Sequence, residues 1–485
     1  MAQDQIHHNL KKSTLISAFS LFFQSGYSAI LGLIANLIIS VLLTPELYGV
    51  YVLVLSMIAF LNYFSDIGLA ASLIQKKVLL DEDVYTTFTI QQLLIVTLVA
   101  LGFVFTPLVK NIYKTLPVDA IYLYHALLIS FFISSLKTIP SIFLERKIQY
   151  QKIVFVQIIE NTVFYISISI FAILGFKLQS FTISVIIRAV VGLILMYRIS
   201  FWMPKIGISF KSLKNLLAFG LPFQSSSFLA LFKDDLIMLF LGNIVGLKTL
   251  GEIGWAKKWA EAPIRIIMDN VTRIIFPLIA RHQDDKVKVG QLSEKVLFYQ
   301  TGLLAPIMVG SGFIMMYVIN IIPRYSQWAQ ALPVFYIFCL SSFLVIYIGP
   351  FINIFNALGR VKLSFGFMIF WTIIMWLGTV YLTKMFGIYG FPLTHLIISL
   401  TFFLVIYQAQ KIIKFSFFRP IYKFIISALV MGLSLSAVAF FIKVNPILHL
   451  IITLITGVLV YGGMLTIIFK MNLINEIKKL FEIKS

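Results

Sequence analysis

Apolar stretches of about twenty residues recur from one end of this 485-residue chain to the other. At 1.5 Å of rise per residue, that length matches the hydrocarbon core of a bilayer. With 60% hydrophobic and 12% charged residues, the chain has too much apolar surface for one soluble core to hide. The alternating segments of about ten residues that mark a membrane β-barrel are absent from the sequence. The pattern predicts an all-α polytopic membrane protein of about fourteen transmembrane helices. They fall near 15–43, 47–75, 84–106, 119–142, 153–175, 179–200 and 214–243, then 249–280, 294–320, 328–356, 363–384, 388–410, 421–442 and 446–469. The first span is too long for a cleaved signal peptide and reads as a retained helix.

An even number of spans puts both termini on one side, and the positive charges choose the side. The termini and even-numbered connections hold 25 Lys and Arg, the odd-numbered connections seven. Cytoplasmic loops collect such residues, so both termini are expected in the cytoplasm. The net charge of +20 is then mostly topological, and nucleic acid is excluded as a partner. The lone Cys339 leaves no intramolecular disulfide framework and reads as an inert buried thiol.

Seven cations and seven acids remain inside the spans. They are Lys137, Arg188, Lys233, Lys257, Lys258, Arg265 and Arg273, with Asp66, Glu160, Asp234, Asp235, Glu252, Glu261 and Asp269. Each charge facing lipid at mid-bilayer would cost about 2.5–3.5 kcal/mol, so the interior is expected to hold a polar, wet cavity.

Short phrases repeat. "LLTPELYGVY" (42–51) opens the second span and "IVGLKTLGEI" (244–253) the eighth, with Gly49 and Gly251 offset by 202. "SSLKTIPSIF" (134–143) ends the fourth span much as "SSFLVIYIGPFINIF" (341–355) ends the tenth, with Pro140 matching Pro350. A six-helix repeat gives two parallel lobes related by a pseudo-two-fold along the membrane normal, a transporter plan. The expected divisions are 1–205, 206–415, and 416–485 for two extra helices and a cytoplasmic tail. The terminal "NEIKKLFEIKS" suits a short interfacial helix.

Within "KKWAEAPIRIIMDNVTR" (257–273), Lys257, Glu261, Arg265, Asp269 and Arg273 follow one another at four-residue spacing. On a helix such neighbours share a face that drifts slowly around the axis. The stripe either pairs with itself against another helix or lines a cavity that accepts an anion. Lys233, Asp234 and Asp235 in the preceding span favour the cavity, as do Pro222 and Pro263, expected to interrupt these two spans. Glu160 and Arg188 are mutual partners or cavity groups, and Lys137 is expected to snorkel. Asp66 could pair with a cation, bind a coupling ion or cap polar packing. Trp255 and Trp259 beside the stripe are candidates for stacking on sugar rings. No HExxH and no Walker A sequence occurs, so neither metalloprotease chemistry nor direct ATP coupling is expected.

"LLTPELYGVYVLVLSMIAFLNYFSDIGLAASLIQKK" (42–77) resembles the second-helix signature of Wzx-type flippases, bacterial polysaccharide transporters of the multidrug/oligosaccharidyl-lipid/polysaccharide exporter superfamily. The likeness continues through "LDEDVYTTF" (80–88), "IPSIFLERKIQYQKI" (139–153), "LLAFGLPFQSSSF" (216–228) and "RIIFPLIARHQDD" (273–285). The resemblance implies two lobes, a central cavity, alternating access and no cofactor. It implies an oligosaccharide carried on undecaprenyl pyrophosphate, turned from the cytoplasmic to the periplasmic leaflet of the bacterial inner membrane. Lys233, Lys257, Lys258, Arg265 and Arg273, with Arg188, are then candidates to bind the substrate. Asp66, Glu160, Asp234, Asp235, Glu261 and Asp269 are charge partners or sites for a coupling ion, H⁺ or Na⁺. Glu261 and Asp269 depart from a purely cationic lumen and suggest arginines that exchange partners as substrate arrives. Membrane lipids, a glycan polymerase and glycosyltransferases are the implied partners. A multidrug cation antiporter of the same superfamily is the main alternative, a membrane glycan polymerase or ligase the next, and an inactive scaffold the last.

Overall fold

The computed structural model describes residues 2–65, 67–76, 78–282, 285–472 and 476. Asp66 and almost all of the terminal "NEIKKLFEIKS" lie outside them. Asp269 and Arg273 sit on a described helix, but their side chains fall outside the described set. The described residues are helices and connections, with no strand. Their contacts gather into two compact units, residues 1–254 with 368–376, and residues 255–367 with 377–485.

The first unit contains α1 (Ala2–Leu42), α2 (Pro45–Ser65), α3 (Leu69–Gln75), α4 (Asp81–Val104) and α5 (Thr106–Ile112). It continues with α6 (Val118–Ser135), α7 (Thr138–Arg146), α8 (Tyr150–Ile173), α9 (Gln179–Ile199), α10 (Phe210–Asp234) and the first part of α11 (Leu236–Arg281). Contacts run α1 to α8, α8 to α9, α9 to α6 and α6 to α2. The second unit holds the rest of α11, α12 (Lys286–Ile321), α13 (Leu332–Val345) and α14 (Gly349–Ala357). Then come α15 (Val361–Phe386) apart from residues 368–376, α16 (Gly390–Leu400), α17 (Phe402–Ile412), α18 (Phe418–Phe441) and α19 (Pro446–Gly463). There α12, α18 and α19 pack mutually, and α13 packs on α16.

Eleven segments among the described residues are long and apolar enough to cross a membrane, which makes this a multi-pass membrane protein. The expected fourteen are not reproduced one by one, because the segments divide differently. Val361–Ile412 forms a single 52-residue candidate although it contains α15, α16 and α17. The expected spans 363–384 and 388–410 correspond to α15 and to α16 with α17 inside that segment.

One pair of repeated phrases meets in space. Thr44, Pro45 and Glu46 start α2: the Leu47 N–H reaches the Thr44 hydroxyl at 3.4 Å, Pro45 needs no N–H there, and Glu46 lies in the first turn. Against this start packs the matching stretch of α11. A Cβ on Gly49 would lie 1.8 Å from the Leu247 carbonyl oxygen, and one on Gly251 1.8 Å from that of Pro45. Each glycine thus faces the backbone four residues ahead of the other, a reciprocal crossing that only residues without side chains permit. The second pair of phrases shares a helix break, at Leu136–Lys137 before Pro140 and at Ile346–Ile348 before Pro350.

The prolines of the striped region behave otherwise than expected. Helix α10 continues through Pro222 and α11 through Pro263. The discontinuities fall at Asp235 and at Gly246, whose φ of 78° and ψ of 166° kink α11. One proline removes one ladder hydrogen bond, a loss that a membrane helix absorbs.

Candidate functional site

In the first unit α1, α2, α6, α8 and α9 surround a cavity of about 750 Å³. Three charged side chains line it, Lys137, Glu160 and Arg188, with Gln24, Gln157, Asn161, Tyr51 and Tyr165. Glu160 is 4% exposed and its carboxylate accepts from the Lys137 ammonium. Lys137 therefore does not snorkel. It occupies the break between α6 and α7 and lines the cavity, where the buried Glu160 carboxylate is its partner. Glu160 and Arg188 share the cavity, but the ion pair is with Lys137. The Arg188 guanidinium carbon stands 5.5 Å from the centre of the Phe164 ring. Gly192 makes room for the acid, because a Cβ there would lie 1.6 Å from Glu160 Oε1.

Amides fasten this wall. Gln24 Nε2 donates to Gln157 Oε1 at 2.6 Å and Asn161 Nδ2 to Ser28 Oγ at 3.0 Å. Away from lipid such bonds tie α1 to α8. Sequence reasoning passed over Lys137, Gln24, Gln157 and Asn161 as cavity groups. The available signal was polar residues recurring inside apolar spans and a lysine three residues before Pro140.

Farther along this unit, Lys233 Nζ lies 3.0 Å from Asp234 Oδ1 at the end of α10. Asp235 caps that helix. Trp376 Nε1 donates to the Phe232 carbonyl at 3.0 Å, with its ring against Phe232 and Phe240.

The second unit carries the described part of the stripe. On α11, Glu261 is shared: Lys257 Nζ stands 3.8 Å from one oxygen and Arg265 donates to the other at 2.9 Å. Lys257 also lies 5.5 Å from the centre of the Phe391 ring. Its side chain is 16% exposed and that of Arg265 74%, so the ladder runs from a covered lysine to an open guanidinium. Lys258 is exposed. Trp255 is not available to a sugar. It is fully buried, stacked on Trp328 with centroids 5.2 Å apart, and its Nε1 donates to the Tyr325 hydroxyl at 3.2 Å. Its position four residues before Trp259 put it near the stripe, but its face turns into the aromatic core. Trp259 is half-buried, and its indole N–H has no partner among the described residues.

The described residues form a multi-pass helical protein with a cavity in the first unit lined by Lys137, Glu160 and Arg188. A structure of the lipid II flippase MurJ in an inward closed conformation has this fold, with a TM-score of 0.77 over 94% of this chain and 99% of that one, at 16% identity. Residues 38–333 match the family described as "Polysaccharide biosynthesis protein". The chain belongs to that family, the Wzx-type polysaccharide transporters that its second helix resembles. Among curated relatives, the succinoglycan biosynthesis transport protein ExoT of Rhizobium meliloti is 23% identical over 69% of this chain. That alignment takes in 66% of the relative, just under two thirds of its length. The lipopolysaccharide biosynthesis protein WzxC of Escherichia coli is 22% identical over 76% of this chain and 75% of its own.

Proposed function

We propose that this protein carries a lipid-linked oligosaccharide across the bacterial cytoplasmic membrane, from the cytoplasmic to the periplasmic leaflet, by alternating access. The pyrophosphate of the carrier is gripped by the cations of α11, with the sugars in a wet interior and the polyprenyl tail left in lipid. The single observation that carries this reading is the Lys257–Glu261–Arg265 ladder, which ends in a guanidinium 74% exposed. Arginine's planar fork offers paired, charge-assisted bonds to phosphate oxygens, and Glu261 keeps it oriented until a stronger anion arrives.

The 25-to-7 asymmetry of Lys and Arg supports cytoplasmic termini. Relatives named for succinoglycan and for lipopolysaccharide support a glycan cargo and leave the polymer open. For resetting, we assign a returning proton or sodium ion to the acidic groups of the spans, with Asp66, Glu160, Asp234 and Asp235 as the candidates. One unit charge moving through 100 mV supplies about 2.3 kcal/mol, enough to bias a rocking equilibrium. The cation-antiporter alternative wants acids dominant in the cavity. The cavity of the first unit is instead lined by two cations and one acid.

The test is complementation of a deletion strain with Arg265→Ala and Arg273→Ala, singly and together, at wild-type protein levels. Loss of surface polymer with lipid-linked oligosaccharide accumulating inside supports the anion grip. Full polymer from both variants removes it.

A further inference from the structure

A cavity of about 1240 Å³ lies away from the stripe, entirely within the second unit. It opens among the ends of α12 and α18 and the segment that follows α19. These elements belong to apolar candidate spans, Lys286–Ile321, Phe418–Phe441 and Pro446–Ile468. The apolar run of α12 begins near residue 294, so Lys295, with the start of α18 and the end of α19, falls near where hydrocarbon gives way to headgroups.

Three backbone features assemble it. Lys288 and Lys295 are seven residues apart on one face of α12, and Arg419 and Lys423 stand at i,i+4 on α18. After α19, a π-helical turn at Met464–Ile468 ends the helix. Lys470 then takes a left-handed φ of 50°, uncommon for a residue with a side chain, and the Met471 N–H bonds the Leu465 carbonyl at 2.9 Å. The chain is thereby turned so that Phe469 and Lys470 close one wall. Lys423 Nζ lies 6.0 Å from the centre of the Phe469 ring.

Five cations thus meet around one space, Lys288, Lys295, Arg419, Lys423 and Lys470, against two carboxylates, Glu294 and Glu476. Glu294 is already engaged, accepting from the Ser416 N–H at 2.6 Å and holding α12 to the start of α18. A positive excess of this size at the membrane boundary, beside Phe298 and Phe469, combines charge for phosphate with apolar surface for the first carbons of a lipid. Basic pockets between membrane helices take such headgroups.

We propose that this pocket binds the phosphates of an anionic lipid headgroup. It uses none of the stripe residues, so it stands apart from the transport reading. Two lipids share the chemistry of paired phosphates, a bilayer phospholipid with two phosphodiester groups and a polyprenyl pyrophosphate waiting to be carried.

The test uses the full chain, purified in neutral detergent, with thermal stability and native mass spectrometry as readouts. The probes are cardiolipin, phosphatidylcholine and undecaprenyl pyrophosphate. Cardiolipin is expected to raise the melting temperature and remain bound where phosphatidylcholine does neither, and Lys295→Gln/Arg419→Gln/Lys423→Gln to weaken it at least tenfold. Displacement of cardiolipin by the pyrophosphate marks a loading site, and its failure to displace marks a resident-lipid site. Either result upholds phosphate recognition. Lipid-free melting of the triple variant, equal to wild type, separates lost binding from lost folding. If that melting is lowered, the single variants Lys295→Gln and Lys423→Gln take its place. Equal retention of phosphatidylcholine and cardiolipin, or undiminished cardiolipin binding by folded variants, overturns the proposal. An Arg265→Ala protein that loses export yet keeps the cardiolipin shift shows that the two readings fail independently.

Discussion

Glu160 and Glu261 are both carboxylates accompanied by two cations inside a membrane protein, and they are held in different ways. Glu160 is buried and bonded to Lys137 from another helix segment, with Arg188 lining the same cavity. Among the described residues Glu261 is paired along its own helix, with Lys257 and Arg265 one turn to either side. A pair made between elements costs the fold dearly when one member is removed, because the survivor stays buried and uncompensated. A pair made along one helix contributes only about 0.3–0.5 kcal/mol and can be opened without disturbing packing. The first arrangement builds a wall; the second leaves charge free to change partners.

The comparison breaks most easily at the largest effect. If aromatic packing, and not the ladder, anchors α11 in the second unit, Trp255→Ala should destabilise the detergent-solubilised protein by about 3–5 kcal/mol. Thermal unfolding would show it, and a change no larger than that of Glu261→Ala would undo the distinction. Next comes Glu160→Ala. Lys137 keeps 22% side-chain exposure, so the loss should sit near the lower end of about 3–5 kcal/mol. Lys137→Ala/Glu160→Ala should recover most of it, whereas additive losses would mean that the pair is not coupled. Gly251→Ala must push its new Cβ away from a carbonyl oxygen 1.8 Å distant, with an expected cost of about 1–3 kcal/mol. Gly310→Ala, where a Cβ would meet nothing within 4 Å, is its control. Smallest is Glu261→Ala, under about 0.5 kcal/mol, although transport should fall because Arg265 loses its orienting partner. A large stability loss there would make the ladder a structural device like the Lys137 pair.

The class of fold was legible because hydropathy reports burial in lipid directly; Gly49 and Gly251, matched in the sequence, face each other's backbone. The break between α6 and α7 was missed: Lys137 and Pro140 were visible in the sequence, but 119–142 was read as one span. Charged residues could be placed inside the membrane but not paired. Lys137 and Glu160 lie 23 residues apart, and only packing decides that they meet. Two of the phrases carrying the family resemblance turn out to tie helix ends together. Buried Asp83 in "LDEDVYTTF" bonds Lys76, Ser212 and the Leu80 N–H, and Arg146 in "LERKIQY" donates to the carbonyls of Leu73, Ile74 and Lys76. A recurring phrase can therefore mark a helix junction as readily as a site.

The most direct measurement is the initial rate at which a polyprenyl-pyrophosphate oligosaccharide crosses vesicles containing purified protein. Removing a charge-assisted bond to phosphate costs about 1.5–3 kcal/mol, so Arg265→Ala should slow crossing roughly ten- to a hundredfold with unchanged melting, and Arg265→Lys should fall between. Wild-type rates from Arg265→Ala, and from Arg265→Ala/Arg273→Ala, would contradict the claim that the α11 cations grip the carrier.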